Sequence, residues 1–266
     1  MREILKHLRI WLKLIKLNFM SQMEYRANFV SGILMEAGYL FAKIMYVIVI
    51  YRAGKRIGGF GPDELLVFVG SYVAVTGFYA GLLATNLFQL TCLVRDGSFD
   101  LMLVKPVNTQ FLATFRRSEI GALLFDSLAG LAMVVIGLAR AGAGFSIVRV
   151  LGWALFAASG AAVGYALWVI PISLVFRIVR ADALAGLADS FWDFNNVPMV
   201  VWGRRAQAIG TYAIPIFLVT NYPALFALGR MSPINFAWGL AAPFIFGFIA
   251  SRCWKAGIRR YEGGGN

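Results

Sequence analysis

Five ionisable side chains interrupt stretches of this chain that are otherwise apolar: Glu36, Lys43, Asp126, Asp189 and Asp193. A charge facing hydrocarbon costs about 3 kcal/mol on insertion scales, so such residues look inward. There they can line a translocation path, pass a proton, contact cargo or form a structural pair. Glu36 and Lys43 are seven residues apart, which puts them on one helix face. Little else in the sequence suggests chemistry. His7 is the only histidine, and Cys92 and Cys253, each expected near a cytoplasmic helix end, are the only cysteines. None has the spacing of a disulfide, a metal site or a nucleophile with its base. No G-x-x-x-x-G-K-(S/T) run occurs, so the chain cannot itself cradle the phosphates of ATP.

The surrounding composition says what must position these residues. Of 266 residues, 60% are hydrophobic and 14% charged, with a mean hydropathy of +0.73. Soluble domains keep about a quarter of their residues charged, so this chain is solvated mostly by lipid. Uncharged runs long enough to span a bilayer predict an all-α polytopic membrane protein, and the strict alternation of a transmembrane barrel is missing. The net charge of +12 does not indicate nucleic acid, because the basic residues flank the apolar runs. They set topology and meet anionic headgroups.

Residues 1–20 read as an interfacial elbow helix. Arg2, Lys6, Arg9, Lys13 and Lys16 recur in steps of four and three, opposite Leu5, Leu8, Trp11, Leu12, Ile15 and Phe19. Its cations would sit on headgroups and Trp11 at the acyl boundary. Recurrent charge and the lack of an unbroken apolar core argue against a cleaved signal peptide. The rest, 28–266, reads as one transmembrane domain with spans near 28–51, 65–89, 118–139, 150–176 and 234–251, and a further crossing in either 183–202 or 206–229. A small-residue patch around Gly160 and Gly164 predicts close helix packing in the fourth span. Residues 206–229 are uncharged but broken by Pro215 and Pro223, which fits a re-entrant pair covered by protein. Hydropathy alone would instead drop 183–202. Six crossings leave 16 Lys plus Arg on the inner side, 8 outside and Lys43 within, with both termini cytoplasmic.

Between the second and third spans lies a polar island, residues 94–109. Asp96 or Ser98 can cap a short helix of Phe99, Leu101, Met102 and Leu103 that Pro106 stops. The spacing allows an ordinary capped turn or an apolar peg for a soluble partner.

Several stretches resemble the permease subunits of ABC-2-type exporters, in particular a six-span branch that often works as unlike pairs. Glu24-Tyr25-Arg26-Ala27-Asn28 is similar to the motif after its elbow helix. Arg95-Asp96-Gly97-Ser98-Phe99-Asp100, closing with Leu103-Val104-Lys105-Pro106-Val107-Asn108, resembles its R-x-G-x-x-D-x-x-L-x-(R/K)-P-x-N loop. Ile214-Pro215 with Tyr222-Pro223-Ala224 resembles the re-entrant region, and Gly257-Ile258-Arg259-Arg260-Tyr261-Glu262 its G-x-R-R-Y-E tail. Val197-Pro198 departs from the family's usual Y-P.

The resemblance implies that residues 96–106 form a coupling helix seated in a separate ATPase subunit, present in two copies, which binds the ATP and Mg. Arg95, Asp96, Gly97, Ser98, Phe99, Asp100, Leu101, Leu103, Lys105 and Pro106 would make that contact. It further implies a second permease, alike or unlike, a bacterial inner-membrane location, a fifth span at 183–202, and a re-entrant gate containing Pro215, Tyr222 and Pro223. This chain would then be no enzyme and hold no cofactor or metal. The competing classes are a secondary transporter or channel driven by an ion gradient and, more remotely, a membrane enzyme. No convincing internal repeat supports the first. The aromatic content of 15% and few charged residues lean toward an amphipathic or lipid-like cargo.

Overall fold

The computed structural model describes residues 2–142, 146–176, 186 and 190–261, and every structural statement concerns these. Helix α1 (Arg2–Glu24) passes through Tyr25 directly into α2 (Arg26–Ala53). After a glycine-rich turn, Pro62 opens α3 (Pro62–Tyr79), and the Glu64 carboxylate accepts the free Gly61 N–H at 2.8 Å. A π-helical turn, Ala80–Ala84, joins α3 to α4 (Thr85–Arg95). Together they form one rod of 34 residues. At 1.5 Å per residue the rod is about 51 Å long, against about 30 Å for a hydrocarbon core.

Two short helices, α5 (Asp100–Leu103) and α6 (Thr109–Phe115), return the chain to α7 (Ile120–Arg140). Next comes α8 (Ile147–Ile172), tightening into a 3-10 turn, Ser173–Phe176, after Pro171. The last third contains α9 (Arg204–Ala208), α10 (Asn221–Ala227) and α11 (Pro233–Ile258). Five helices among the described residues are long and apolar enough to cross a membrane: Arg26–Ala53, Pro62–Arg95, Ile120–Arg140, Ile147–Phe176 and Pro233–Ile258. The protein is all-helical in its described residues and multi-pass.

The helix expected over 183–202 does not continue to Trp202. Residues 190–192 are helical, but Asp193–Asn196 and Met199–Val201 are 3-10 turns. Pro198 lacks an N–H and pushes Val197 into extended backbone, which ends the helix early. Asp189 lies outside the described residues.

Glycines let the long helices approach. A Cβ on Gly70 of α3 would lie 2.8 Å from the Gly130 carbonyl of α7, and one on Gly160 of α8 2.6 Å from the Val219 carbonyl. Beside Gly160, Ser159 donates to the Gly239 carbonyl of α11 at 2.5 Å. The small-residue patch of the fourth span thus serves contact between backbones.

Candidate coupling site and intramembrane polar residues

At the end of the α3–α4 rod the chain reverses. Asp96 N–H still bonds the Cys92 carbonyl at 2.8 Å, and Gly97, with φ of 71°, then takes the left-handed conformation that closes a helix cheaply only without a Cβ. Phe99 N–H reaches back to the Leu93 carbonyl at 2.9 Å. The single turn α5 has no side-chain cap, so neither Asp96 nor Ser98 plays the capping role expected of it. Asp96 instead lies 3.5 Å from the Arg95 guanidinium.

The turn has two faces. Phe99 and Met102, three apart, are buried, Phe99 completely, among the rings of Phe176, Trp254 and Tyr261 at centroid distances of 5.0, 6.4 and 5.3 Å. Phe99 is therefore an anchor, and its expected place on a docking surface is corrected. The outward face consists of Leu101 and Val104, 67% and 80% exposed, with Leu103 at the edge. Asp96, Ser98, Asp100, Lys105 and Pro106 are exposed around it. Val104 escaped the sequence reading, although its place three residues after Leu101 is the signal that would have found it. Asn108 then caps α6, its Oδ1 accepting the Phe111 N–H at 3.0 Å, which gives the Pro-x-Asn ending a mechanical reason.

The elbow helix is fastened to this region. Lys6 Nζ donates to the Pro106 carbonyl at 2.9 Å, Asn18 Nδ2 to the Arg116 carbonyl at 3.0 Å and Gln22 Nε2 to the Ser118 carbonyl at 2.6 Å. His7 meets the Phe111 ring edge-on at 4.7 Å. Trp11 packs against Phe115, with centroids 6.1 Å apart. Arg9, Lys13 and Lys16 are exposed, and nothing is described of the Arg2 side chain. Arg116 turns to Gln89 Oε1 at 3.0 Å, and burial, then the Arg117 charge, lower its pKa from the ordinary value. Helix α6 is held from the other side by Tyr165, whose hydroxyl accepts from Gln110 at 3.1 Å and lies 2.8 Å from Thr114 Oγ1.

Four of the five intramembrane charges fall into two pairs of neighbours. Asp126, buried in α7, faces the Glu36 carboxyl of α2. One helical stretch along the same face of α2, Lys43 donates to Asn196 Oδ1 at 2.6 Å and covers the rings of Tyr39 and Tyr72 at 5.1 and 4.5 Å. Asn196 in turn approaches Asp193 Oδ1 at 3.3 Å. Lys43 and Glu36 are thus partnered separately, and Tyr72 and Asn196, which the sequence reading did not single out, complete the Lys43 site.

The candidate gate is a broken helix. A π-helical turn, Ile209–Ala213, stops at Ile214, Pro215 leads into the 3-10 turn Ile216–Leu218, and α10 begins three residues later with Tyr222 and Pro223 in its first turn, where proline lacks no intrahelical bond. Ile216, Leu218, Val219, Thr220, Asn221 and Tyr222 are all buried. The segment is stitched to the preceding turns by Thr220 Oγ1 to Asn195 Oδ1 at 2.9 Å and Met199 N–H to Asn221 Oδ1 at 2.7 Å. At this end of the bundle, Arg230 pairs with Glu64, and Arg140 with Asp63 at 3.3 Å.

Comparison with known proteins bears on the whole arrangement. The profile of a family described as "ABC-2 family transporter protein" matches residues 37–265. No curated protein and no solved structure matches the chain.

Proposed function

Because this chain belongs to the ABC-2 family of transporter permeases, we propose that it is the membrane half of an ATP-driven exporter, moved by an ATPase on a separate polypeptide. The observation that carries this reading is the α5 turn, which exposes Leu101 and Val104 while rooting itself in the bundle through Phe99 and Met102. Its apolar face would supply docking energy at about 25 cal/mol per Å² buried. Asp96, Asp100 and Lys105 would set orientation more than strength.

Force applied to the turn has two routes inward. One follows the covalent chain into α4 and, through α6, into α7. The other passes through Phe99 to Phe176 at the end of α8 and Trp254 near the end of α11. The elbow, tied at Pro106, Arg116 and Ser118, would travel with the turn. Two such permeases, alike or unlike, would face each other over two ATPases, and the buried break around Pro215 would guard the outer exit.

Contact geometry supports six crossings. Lys6 near the start and Tyr261 near the end both touch the segment around the coupling turn, while Glu64 and Arg230 meet at the opposite end. With Phe176 at the first end and Arg230 at the second, the chain between them would cross an odd number of times, and one crossing there would make six with the five long helices. The coupling end carries most of the basic residues, so it would be cytoplasmic.

The test is co-purification with candidate ATPases and measurement of stimulated ATP hydrolysis. Leu101→Asp with Val104→Asp should abolish capture and stimulation, and unchanged stimulation would refute the docking role.

A further inference from the structure

Beside the Glu36–Asp126 pair a groove of about 470 Å³ opens on the flank of the bundle, within the range of about 300–1,000 Å³ typical of small-molecule sites. Its walls come from the end of α1, the first half of α2, the π-helical turn and the start of α7. Small side chains create the space: Gly32 on α2, Ala80 and Ala84 on the π-helical turn, and Gly121 on α7. That turn also leaves the Gly81 carbonyl free, and Glu119 N–H bonds it at 2.7 Å, fixing Glu119 at the wall.

The charges on the groove are of one sign. Glu36 and Glu119 line it, and among the described residues no basic side chain does. Of the basic groups on neighbouring elements, Lys43 is turned toward Asn196 and Arg116 toward Gln89. Behind Glu36 the buried neighbour is a second carboxyl, Asp126, 2% exposed, which brings no positive charge to the site. Three rings, Tyr25, Phe29 and Phe88, line the same space. Tyr25 and Phe88 are 62% and 40% exposed. Ring faces and carboxylates around one apolar cavity attract the same thing, a positive charge carried on an apolar body.

We propose that this groove binds amphipathic organic cations, the charge toward Glu36 and the apolar body on the rings. The proposal deepens the export reading by naming the class of cargo at one end of its path. Two sources share this chemistry, a free hydrophobic cation and the ammonium headgroup of a lipid.

The full chain, purified in an uncharged maltoside detergent, is dialysed to equilibrium against tetraphenylphosphonium and, separately, against tetraphenylborate, which has the same shape and the opposite charge. Saturable binding of the cation alone is expected, and equal binding of the anion overturns the proposal. Glu36→Gln should weaken cation binding about tenfold, the scale of one lost charge-assisted contact. Gly32→Trp gives an independent check, because a Cβ there meets nothing within 4 Å and the indole can fill the groove without displacing the fold. It should abolish binding at an unchanged melting temperature, and undiminished binding in this variant refutes the site even if Glu36→Gln fails to fold. Displacement of bound tetraphenylphosphonium by lysophosphatidylethanolamine would assign the lipid source, and no displacement the free cation. The assay contains no ATPase. Normal cation binding without ATP-driven transport therefore counts against the export reading alone, and ATPase coupling without cation binding against this inference alone.

Discussion

Phe99 and Leu101 stand two residues apart and face opposite ways, one fully buried and the other 67% exposed. Removing a buried phenyl ring costs about 3–5 kcal/mol, so Phe99→Ala should lower the melting temperature followed by size-exclusion chromatography. Leu101→Ala with Val104→Ala should leave that temperature unchanged. Gly97→Ala places a Cβ at a φ of 71° and should cost about 1–2 kcal/mol, reducing ATPase stimulation by misaligning the turn. The sequence makes the turn itself readable, because Gly97 and Pro106 punctuate a short polar stretch. Phe99's direction was not readable from spacing, since its partners Phe176, Trp254 and Tyr261 come from elements remote in the chain. The same holds for Lys43, whose partner Asn196 lies in a 3-10 turn.

Among the elements, α1 shows how far periodicity reaches. Its stripe of cations is visible in the sequence, and Lys6, Arg9, Lys13 and Lys16 are exposed in the structure, but Trp11 belongs to the side that packs on α6. Asn18 and Gln22, ordinary polar residues by pattern, supply two of the three hydrogen bonds that fasten the elbow. At about 1 kcal/mol per net hydrogen bond, Asn18→Ala with Gln22→Ala should lower stability by about 2 kcal/mol and loosen α1, detected as faster proteolysis within residues 1–24. Unchanged proteolysis would show that ring packing alone holds the elbow. The long apolar helices were legible because burial in lipid demands their composition. Residues 193–227 were not, because backbone groups there bond side chains distant in sequence: the Asn195 carbonyl accepts from Thr220 Oγ1, and the Met199 N–H donates to Asn221 Oδ1.

For the whole molecule, Lys6 contacts Pro106 and Tyr261 contacts Phe99, and the proposed even number of crossings rests on that juxtaposition. Native Cys92 is exposed near this end. In a variant lacking Cys253, a membrane-impermeant maleimide should label Cys92 in inside-out vesicles and leave it unlabelled in intact cells. Arg56→Cys, in the turn beyond α2 at the opposite end, should show the reverse. Labelling of both from the same side would remove the proposed topology. The family match spans residues 37–265 and therefore includes the coupling turn, the polar pairs and the buried break together.

The most direct measurement is ATP hydrolysis by the captured ATPase in proteoliposomes, with the wild-type chain and with Leu101→Asp, Val104→Asp. The account predicts that the wild-type chain stimulates hydrolysis and that the double variant, folded to the same melting temperature, does not. Equal stimulation by both chains, or transport that follows a pH gradient with no nucleotide present, would contradict it.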